Sequence, residues 1–298
     1  MAAQQKAITK NSVIGFIGTG IMGASMAGHL LRNGYEVHVY NRTKARADQL
    51  VQAGAQWQDS PRLVVERADV IFTMLGYPSD VESIYLGEEG LLAHARPGAY
   101  LLDMTTSSPA LAKRITATAA ARGLCALDAP VSGGDIGARE ARLSIMVGGP
   151  KEGFDAVEGL LTLLGTNIVY QGEAGAGQFT KMCNQITIAS NMIGVSEALA
   201  YAKSAGLDQT QVLKSIQSGA AGSWSLANLA PRMIAGDYAP GFYVKHFVKD
   251  IGIAIESAAE MGLELPGLKL AQSLYERLMA QGGADQGTQA LHGIIVGK

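Results

Sequence analysis

A glycine motif near the start of the chain carries the first chemical signal; its residues are Gly18, Thr19, Gly20, Ile21, Met22 and Gly23. An apolar run at 13–17 precedes it, a helical pattern follows it, and a second apolar run lies at 36–40. In this strand–turn–helix order the glycines allow a tight turn, close approach of a pyrophosphate, and close packing of helix on strand. An ordinary glycine-rich turn is the alternative, but the context favours dinucleotide binding by these six residues.

The residues after the second apolar run bear on which dinucleotide binds. An NAD site usually places an acidic residue there to bond the ribose 2′-hydroxyl, whereas this chain has Asn41, Arg42, Thr43 and Lys44. A guanidinium can bind a 2′-phosphate through paired, charge-assisted hydrogen bonds. The sequence therefore predicts that NADP(H) is preferred, that NAD(H) is possible, and that residues 41–43 contact the cofactor. Alternatively, Arg42 and Lys44 are solvated residues in the first turn of the next helix.

A polar stripe lies on a predicted long helix in the second half of the chain. Lys181, Asn184, Gln185 and Ile188 follow i, i+3, i+4, i+7 spacing, so the polar residues share one face. If that face points into a cleft between the domains, the lysine can move a proton and Asn184 can orient a substrate hydroxyl or carboxylate. A solvated helix face is the alternative interpretation.

A second candidate anchor follows a predicted strand that ends at Pro130, and it consists of Ser132, Gly133 and Gly134. Open α/β sheets bind ligands at the carboxyl ends of their strands. The serine hydroxyl and the backbone N–H groups of successive glycines can hold an anion there. The alternative is a glycine-rich exit from the strand.

Lys245 and Lys249 lie one helical turn apart in a segment that also contains His246 and Asp250. This spacing is typical of a solvated helix face, and nothing in it makes His246 a ligand or a base. The chain has no cluster of His, Cys and carboxylate residues at metal-ligand spacing, so no metal site is predicted.

Strand and helix patterns alternate in the first half of the chain and give way to helices alone after Gly175. Strands are predicted at 13–17, 36–40, 69–74, 100–104, 125–130, 143–148 and 168–171, and helices at 109–122, 151–163, 177–204, 247–261 and 266–280. Ser79 and Glu82 resemble a capping box that opens a further helix. The pattern predicts an α/β protein with a Rossmann-type doubly wound sheet domain at 12–172. A long interdomain helix would join it to an all-α domain at 173–298.

Composition excludes several classes of partner. The formal net charge is −2 and 17% of the residues are charged. This composition lacks the excess of positive charge that binding to nucleic acid or to a membrane surface requires. The first 11 residues are polar, and no apolar run reaches the ~18 residues of a membrane span. Cys125 and Cys183 are the only cysteines, which is typical of a reducing compartment. We therefore expect a soluble, cytoplasmic protein without a signal or transit peptide.

Four segments in this order resemble the β-hydroxyacid dehydrogenase family, which includes 3-hydroxyisobutyrate dehydrogenase, tartronate semialdehyde reductase and, more distantly, 6-phosphogluconate dehydrogenase. The segments are GFIGTGIMG, DAPVSGG, GAGQFTKMCNQ and the KD pair at 249–250. The resemblance covers residues 15 to about 290 and is far more specific than any one motif.

The resemblance implies roles for the substrate-facing candidates. Lys181 would be the catalytic lysine, and Asn184 and Gln185 would contact substrate. Ser132, Gly133 and Gly134 would form the loop that holds the substrate carboxylate. Gln185 departs from the second asparagine that some members carry there.

The same resemblance implies further cofactor contacts. Leu75 and Gly76 correspond to a loop that passes the nicotinamide ribose, although the family often has proline in place of Gly76. Thr106 and Lys249 match two other residues close to the cofactor. Trp224 is a bulky residue in a segment that family members bring near the substrate, which leaves the identity of the substrate open.

The sequence therefore predicts an NADP(H)-dependent enzyme that interconverts a small β-hydroxy acid and its semialdehyde. Lys181 would act as general acid and base, without a metal. One alternative is a reductase of the same fold that acts on an imine or a larger carbonyl compound. Another is an NADP(H)-binding sensor or scaffold without turnover. A small carboxylate is the expected ligand, and a homodimer or homotetramer the expected assembly.

Overall fold

The structure is a computed structural model that describes residues 6–297. The chain forms two compact units, one ending at Lys181 and the other beginning at Met182. The division falls inside a 29-residue helix, α9, which joins the two units.

The first unit, from residue 6 onward, contains nine strands and the helices that connect them. The strands are β1 Val13–Ile17, β2 Glu36–Tyr40, β3 Gln56–Trp57, β4 Val70–Thr73, β5 Tyr100–Asp103, β6 Cys125–Asp128, β7 Val131–Ser132, β8 Leu143–Gly148 and β9 Gly165–Gly172. The helices are α1 Ile21–Arg32, α2 Asp48–Gln52, α3 Pro61–Val65, α4 Pro78–Leu86, α5 Leu91–His94, α6 Pro109–Ala120, α7 Gly134–Arg139 and α8 Lys151–Leu161. A 3₁₀ turn at Lys44–Ala47 leads into α2.

These strands form one sheet in the order β3-β2-β1-β4-β5-β6-β8-β7, with β9 beside β8. The strands from β3 to β6 run parallel, in the order of a Rossmann-type sheet. The strand β8 pairs antiparallel with β6 and β7 and parallel with β9. The predicted doubly wound domain is therefore confirmed. The two-residue strands β3 and β7 escaped prediction because they are too short to show a hydrophobic period.

Both faces of this sheet are buried, which explains why its strands are apolar throughout. On one face the rings of Phe16 and Phe72 stack with their centroids 5.9 Å apart. Ile17, Ile71 and Leu101 point to the other face and pack against the helices there. Successive residues of one strand thus pack into two different hydrophobic clusters, one on each face of the sheet.

The capping box predicted at Ser79 and Glu82 is wrong. Helix α4 begins at Pro78, so Ser79 already lies inside its first turn. The N-cap is Tyr77, whose backbone N–H donates to Oδ2 of Asp80 at 3.1 Å. Proline at the first helical position fixes the helix start two residues earlier than the serine pattern indicated.

The second unit is helical, as predicted. Its helices, including the shared α9, are α9 Ala176–Ser204, α10 Gln209–Ile216, α11 Trp224–Asn228, α12 Ala230–Ala235, α13 Val244–Glu260, α14 Pro266–Ala280 and α15 Leu291–Ile295. An isolated bridge between Tyr243 and Gly287 is the only β pairing in the described part of this unit. Helix α13 begins at Val244, three residues before the predicted start at 247. The polar residues on its exposed face do not interrupt the helix. None of the described helices is long and apolar enough to cross a membrane.

Candidate active site

The glycine motif makes the tight turn between β1 and α1. Gly18 has φ +97°, and a Cβ there would overlap the carbonyl oxygen of Met74. A Cβ at Gly23 would overlap the carbonyl oxygen of Gly18. A Cβ at Gly20, in contrast, would meet no protein atom within 4 Å. The fold itself therefore requires Gly18 and Gly23, whereas Gly20 keeps the backbone open to an approaching ligand.

Helix α1 begins at this open backbone. Its N-cap is Gly20, which supplies no side-chain cap, and its first turn contains no acidic residue. Ile21 is 61% exposed and Met22 is half-buried. The Thr19 hydroxyl is buried and has no hydrogen-bond partner among the described residues. Uncapped N–H groups and a buried, unpaired hydroxyl fit the pyrophosphate of a dinucleotide at this end of the helix.

Asn41, at the end of β2, holds the glycine motif in place. The backbone N–H of Thr19 donates to its Oδ1 at 3.0 Å, and its Nδ2 donates to the carbonyl of Thr43 at 2.9 Å. The next side chain, Arg42, is exposed and forms no hydrogen bond or ion pair with any residue of the described chain. Lys44 instead lies over the ring of Trp57, 5.2 Å from its centroid. Arg42 is therefore the cation of this segment that is available to an anionic group.

A buried polar network joins the ends of β4 and β5. Oγ1 of Thr73 and the backbone N–H of Thr105 both donate to Oδ1 of Asp103, at 2.9 Å and 3.1 Å. Oγ1 of Thr105 in turn accepts from the backbone N–H of Leu75 at 2.9 Å. The network thus fixes the backbone at Leu75, a predicted cofactor contact. Two further predicted contacts, Gly76 and Thr106, are half-buried and directly follow residues of this network.

Burial raises the pKa of the Asp103 carboxyl from its ordinary 3.8 to about 6, and hydrogen bonds from Thr105 and Thr73 oppose this rise. The folded protein therefore holds this proton more tightly than the unfolded chain. The free energy of unfolding contributed by Asp103 consequently decreases as pH rises from about 4 to about 6.

Replacing Asp103 with Asn removes this titration. We expect the stability of Asp103→Asn relative to the unsubstituted protein to improve by up to about 3 kcal/mol between pH 4 and pH 7. Urea unfolding at several pH values measures this difference, and Glu88→Gln, at an exposed carboxyl, is the matched control. Parallel stability curves for the Asp103 variant and the unsubstituted protein would contradict the prediction.

Ser132 ends the short strand β7, where it pairs with Ser144 of β8. The chain bends at once after it, because Gly133 and Gly134 have φ values of +129° and +63°. Side chains other than glycine rarely adopt such angles. The two glycines are thus required by the backbone, and their use as a substrate anchor stays a prediction.

A carboxylate from the sheet holds the start of α9. Asp128, at the end of β6, is buried, and its two oxygens accept from the backbone N–H groups of Gly175 and Gln178 at 2.7 Å and 2.8 Å. Burial raises the pKa of this carboxyl, while the backbone N–H groups lower it. Asp128 therefore satisfies N–H groups that a helix start otherwise leaves unpaired.

The side chain of Gln178 fixes the same turn from a second direction. Its Nε2 donates to the carbonyl of Thr105 at 2.7 Å, and its Oε1 accepts from the backbone N–H of Ser107 at 2.9 Å. Lys181 follows three residues later, and only 6% of it is exposed. The lysine therefore projects from a helical turn that is anchored to the ends of both β5 and β6.

A separate chain of polar contacts lies within the second unit. Nδ2 of Asn184 donates to Oε1 of Gln185 at 2.7 Å, and Nε2 of Gln185 donates to Oδ2 of Asp250 at 2.6 Å. Nζ of Lys249 lies 2.8 Å from the other oxygen of Asp250. The structure thus brings together three of the predicted site residues, Asn184, Gln185 and Lys249, around a carboxylate.

The burial of these residues decides between the two interpretations of each helix face. Lys181 and Gln185 are buried, so the polar stripe of α9 is not a solvated face. The Lys249 side chain is 13% exposed, whereas Lys245 pairs with the exposed Asp285. The solvated interpretation therefore fails for Lys249 and suits Lys245.

Sequence reasoning missed four residues that hold the site: Asp103, Asp128, Gln178 and Asp250. Each of the first two ends an apolar strand, in LLD and ALD, which was the signal that could have identified them. Asp250 was noticed only as part of the KD pair. Asp128 and Gln178 likewise stood in the segments DAPVSGG and GAGQFTKMCNQ, but no role was inferred for either of them.

Two family descriptions match the chain and together cover most of it. Residues 13–172 match the NAD binding domain of 6-phosphogluconate dehydrogenase. Residues 175–295 match the family described as NAD-binding of NADP-dependent 3-hydroxyisobutyrate dehydrogenase.

Relatives with named activities match nearly the whole chain. The 2-hydroxy-3-oxopropionate reductase of Escherichia coli is 41% identical over 278 residues, covering 93% of this chain and 95% of that protein. The NAD-dependent L-serine dehydrogenase of Pseudomonas aeruginosa is 40% identical over 280 residues, covering 92% and 94%. A solved structure of Mycobacterium tuberculosis 3-hydroxyisobutyrate dehydrogenase with L-serine superimposes with a TM-score of 0.87 at 31% identity, covering 95% and 98%.

These matches, together with the glycine motif and the sheet order, show that the chain belongs to the β-hydroxyacid dehydrogenase family. It is an NAD(P)-dependent oxidoreductase that acts on CH–OH groups of hydroxy acids.

Proposed function

We propose that the protein is an NADP(H)-dependent enzyme that interconverts a small β-hydroxy acid and its semialdehyde, with Lys181 as general acid and base. The observation that carries this proposal is the placement of Lys181. It is a buried lysine one turn beyond a helix start that Asp128 and Gln178 anchor to the sheet. A proton-transfer group needs such a fixed position and partial removal from water.

The nicotinamide cofactor, when bound, supplies the hydride acceptor or donor of the reaction. The glycine motif at 18–23 would hold its pyrophosphate, and Leu75, Gly76, Thr106 and Lys249 would contact it elsewhere. In the oxidation direction Lys181 Nζ takes the proton of the substrate hydroxyl. In the reduction direction it donates a proton to the carbonyl oxygen. The product is therefore a neutral hydroxyl group and not an alkoxide.

Two further groups would orient the substrate. The loop of Ser132, Gly133 and Gly134 would hold the carboxylate, and Asn184 would contact the rest of the molecule. The relatives' names indicate small substrates, since 2-hydroxy-3-oxopropionate, 3-hydroxyisobutyrate and L-serine each have a carboxylate and a group on the α-carbon. We therefore propose a small carboxylate of this size as the ligand.

The proposed preference for NADP(H) rests on Arg42. Its guanidinium is exposed and carries no partner among residues 6–297, so it can bind a 2′-phosphate without breaking an existing contact. The P. aeruginosa relative is named as NAD-dependent, which makes cofactor choice a property to measure in this chain.

One experiment tests both the activity and the cofactor. We expect the protein to oxidise NADPH with at least one of malonate, methylmalonate and tartronate semialdehydes, and NADH less efficiently. In the same assay Arg42→Glu should raise the dissociation constant of NADPH at least about tenfold, because it removes a charge-assisted contact and adds repulsion. NADH binding should change little.

The matched control is Arg46→Glu, which makes the same charge change at an exposed site in the neighbouring 3₁₀ turn. If the unsubstituted protein already binds NADH more tightly than NADPH, the role of Arg42 is refuted. If no semialdehyde is reduced with either cofactor, the proposal of an enzyme is refuted in favour of an NADP(H)-binding protein without turnover.

Location and assembly are also proposals. Neither Cys125 nor Cys183 forms a disulfide bond, which supports a reducing compartment such as the cytoplasm. Tyr201, in the last turn of α9, and Leu207, three residues beyond its end, are exposed apolar side chains, and they support a homodimer or homotetramer.

A further inference from the structure

A histidine of α1 holds the far end of the short helix α7. Nε2 of His29 lies 3.0 Å from the carbonyl oxygen of Ala138 and 3.1 Å from that of Arg139. These two are the last residues of α7, where a helix leaves carbonyl groups without N–H donors of its own. One ring nitrogen from a neighbouring helix therefore caps the end of α7.

Arg32 determines which nitrogen of His29 carries the proton. Nη2 of Arg32 lies 2.8 Å from Nδ1 of His29, and since a guanidinium only donates hydrogen bonds, Nδ1 must accept. In the neutral ring the proton is then on Nε2, which donates to the two carbonyl oxygens of α7. All three contacts thus require one and the same tautomer of His29.

Apolar packing also joins α7 to α1. Ala138 is buried in the same hydrophobic cluster as Met26 and Leu30 of α1. Helix α7 has six residues, so it is only about 9 Å long and moves as one piece. A displacement of its end at Arg139 therefore also displaces its start at Gly134.

The start of α7 is continuous with the loop of Ser132, Gly133 and Gly134. On its other side this loop is held by the pairing of Ser132 with Ser144 of β8. The two glycines have φ values of +129° and +63°, and because glycine is conformationally permissive, they do not fix the loop by themselves. The position of the loop therefore depends on α7 and, through His29, on α1.

We propose that His29 is a positioning residue that fixes the loop at 132–134 relative to α1, and thereby sets the affinity of the enzyme for the carboxylate of its substrate. This inference rests on the proposed function, in which the loop holds that carboxylate. The helical turn before Lys181 is anchored separately, through Asp128 and Gln178. A change at His29 should therefore alter carboxylate binding and leave proton transfer intact.

His29→Leu removes the ring donor and keeps a side chain of similar size. Oxidation is measured with NADP⁺ and three small acids: 3-hydroxypropionate, 3-hydroxyisobutyrate and glycerate. For the acid that is oxidised best, KM should rise at least about fivefold while kcat stays within about twofold, because a binding contact is weakened. KM for the methyl ester of that acid should stay within about twofold, since an ester offers the loop no negative charge. The dissociation constant of NADPH should also stay within about twofold.

Two further variants separate positioning from a general structural role. His29→Gln is the conservative variant, because glutamine offers both an N–H donor to the end of α7 and an oxygen that accepts from Arg32. It should return KM for the acid to within about twofold of the starting value. His94→Leu is the matched control, because it makes the same change on α5, which packs on the other face of the sheet from α1. It should leave KM for the acid unchanged.

Amide hydrogen exchange tests the anchoring of α7 without turnover. In His29→Leu the amide groups of residues 133–139 should exchange at least about fivefold faster than in the unsubstituted protein, because the end of α7 has lost its cap. In His29→Gln their exchange should return to the starting rate. The helix α8, Lys151–Leu161, is the internal reference and should exchange at the same rate in all three proteins.

The outcomes distinguish this inference from the proposed function. If the unsubstituted enzyme oxidises no β-hydroxy acid, the proposed function fails and the role of His29 in substrate binding fails with it. If acids are oxidised but His29→Leu leaves KM for the acid unchanged, or raises KM for acid and ester by one common factor, only the positioning inference is overturned. Unchanged exchange at residues 133–139 likewise overturns it.

Two provisions keep the test decisive. If the ester is not oxidised, KM and kcat for the acid decide together with hydrogen exchange. Should His29→Leu not fold, Arg32→Met takes its place: the ring of His29 is then free to turn, and KM for the acid should rise at least about twofold. An unchanged KM in a folded Arg32→Met enzyme would overturn the inference.

Discussion

Replacing Lys181 with Met is expected to lower kcat by ~10²–10⁴, the usual range for the loss of a general acid or base. Hydride transfer to a carbonyl leaves an alkoxide, and without the lysine that oxygen must wait for a proton from water. Because Lys181 is only 6% exposed, methionine keeps the buried aliphatic volume and leaves no cavity. Steady-state kinetics with NADPH and the best semialdehyde measure the effect.

Two comparisons make the Lys181 prediction specific. Lys203→Met changes an exposed lysine on the same helix, α9, and should leave kcat within about twofold of the starting value. The NADPH dissociation constant and the unfolding midpoint of Lys181→Met should also stay close to those of the unsubstituted protein. A folded Lys181→Met enzyme that kept most of its kcat would require a different proton donor.

The fold was predictable from sequence where elements have a long hydrophobic period. The strands β1 and β2 have the predicted bounds, and α9 begins one residue before its predicted start. Short elements such as β7 and α11 were not predicted, since two to five residues cannot display a period. The start of α4 was misplaced because proline, and not the serine pattern, determines it.

The candidate site was predictable as a set of separate segments but not as a set of contacts. The glycine motif and the polar stripe of α9 are local patterns, and local spacing identifies them. The contacts that position them join distant residues: 47 residues separate Gly175 from Asp128, and 73 separate Gln178 from Thr105. A carboxylate at the end of a strand becomes informative only when the chain that returns to it is known.

The anchored start of α9 gives the second large expected effect, at Gly177. A Cβ at this position would overlap the carbonyl oxygen of Met146 and lie 2.7 Å from the carbonyl oxygen of Asp128 and 2.9 Å from its Oδ2. These are backbone and anchoring atoms that cannot move without displacing β6, β8 or the helix start. Gly177→Ala should therefore lower the free energy of unfolding by about 3 kcal/mol or more, as measured by urea unfolding. It should also lower kcat, because Lys181 lies one turn further along the displaced helix.

Gly194 provides the matched control within α9. A Cβ there meets no atom within 4 Å, so Gly194→Ala makes the same chemical change without a clash. Because alanine is the better helix former, Gly194→Ala should raise the free energy of unfolding by up to about 1 kcal/mol. The two substitutions thus have opposite expected signs on one helix. If Gly177→Ala proved as stable as Gly194→Ala and kept full kcat, the anchoring of Lys181 through Asp128 and Gln178 would have to be given up.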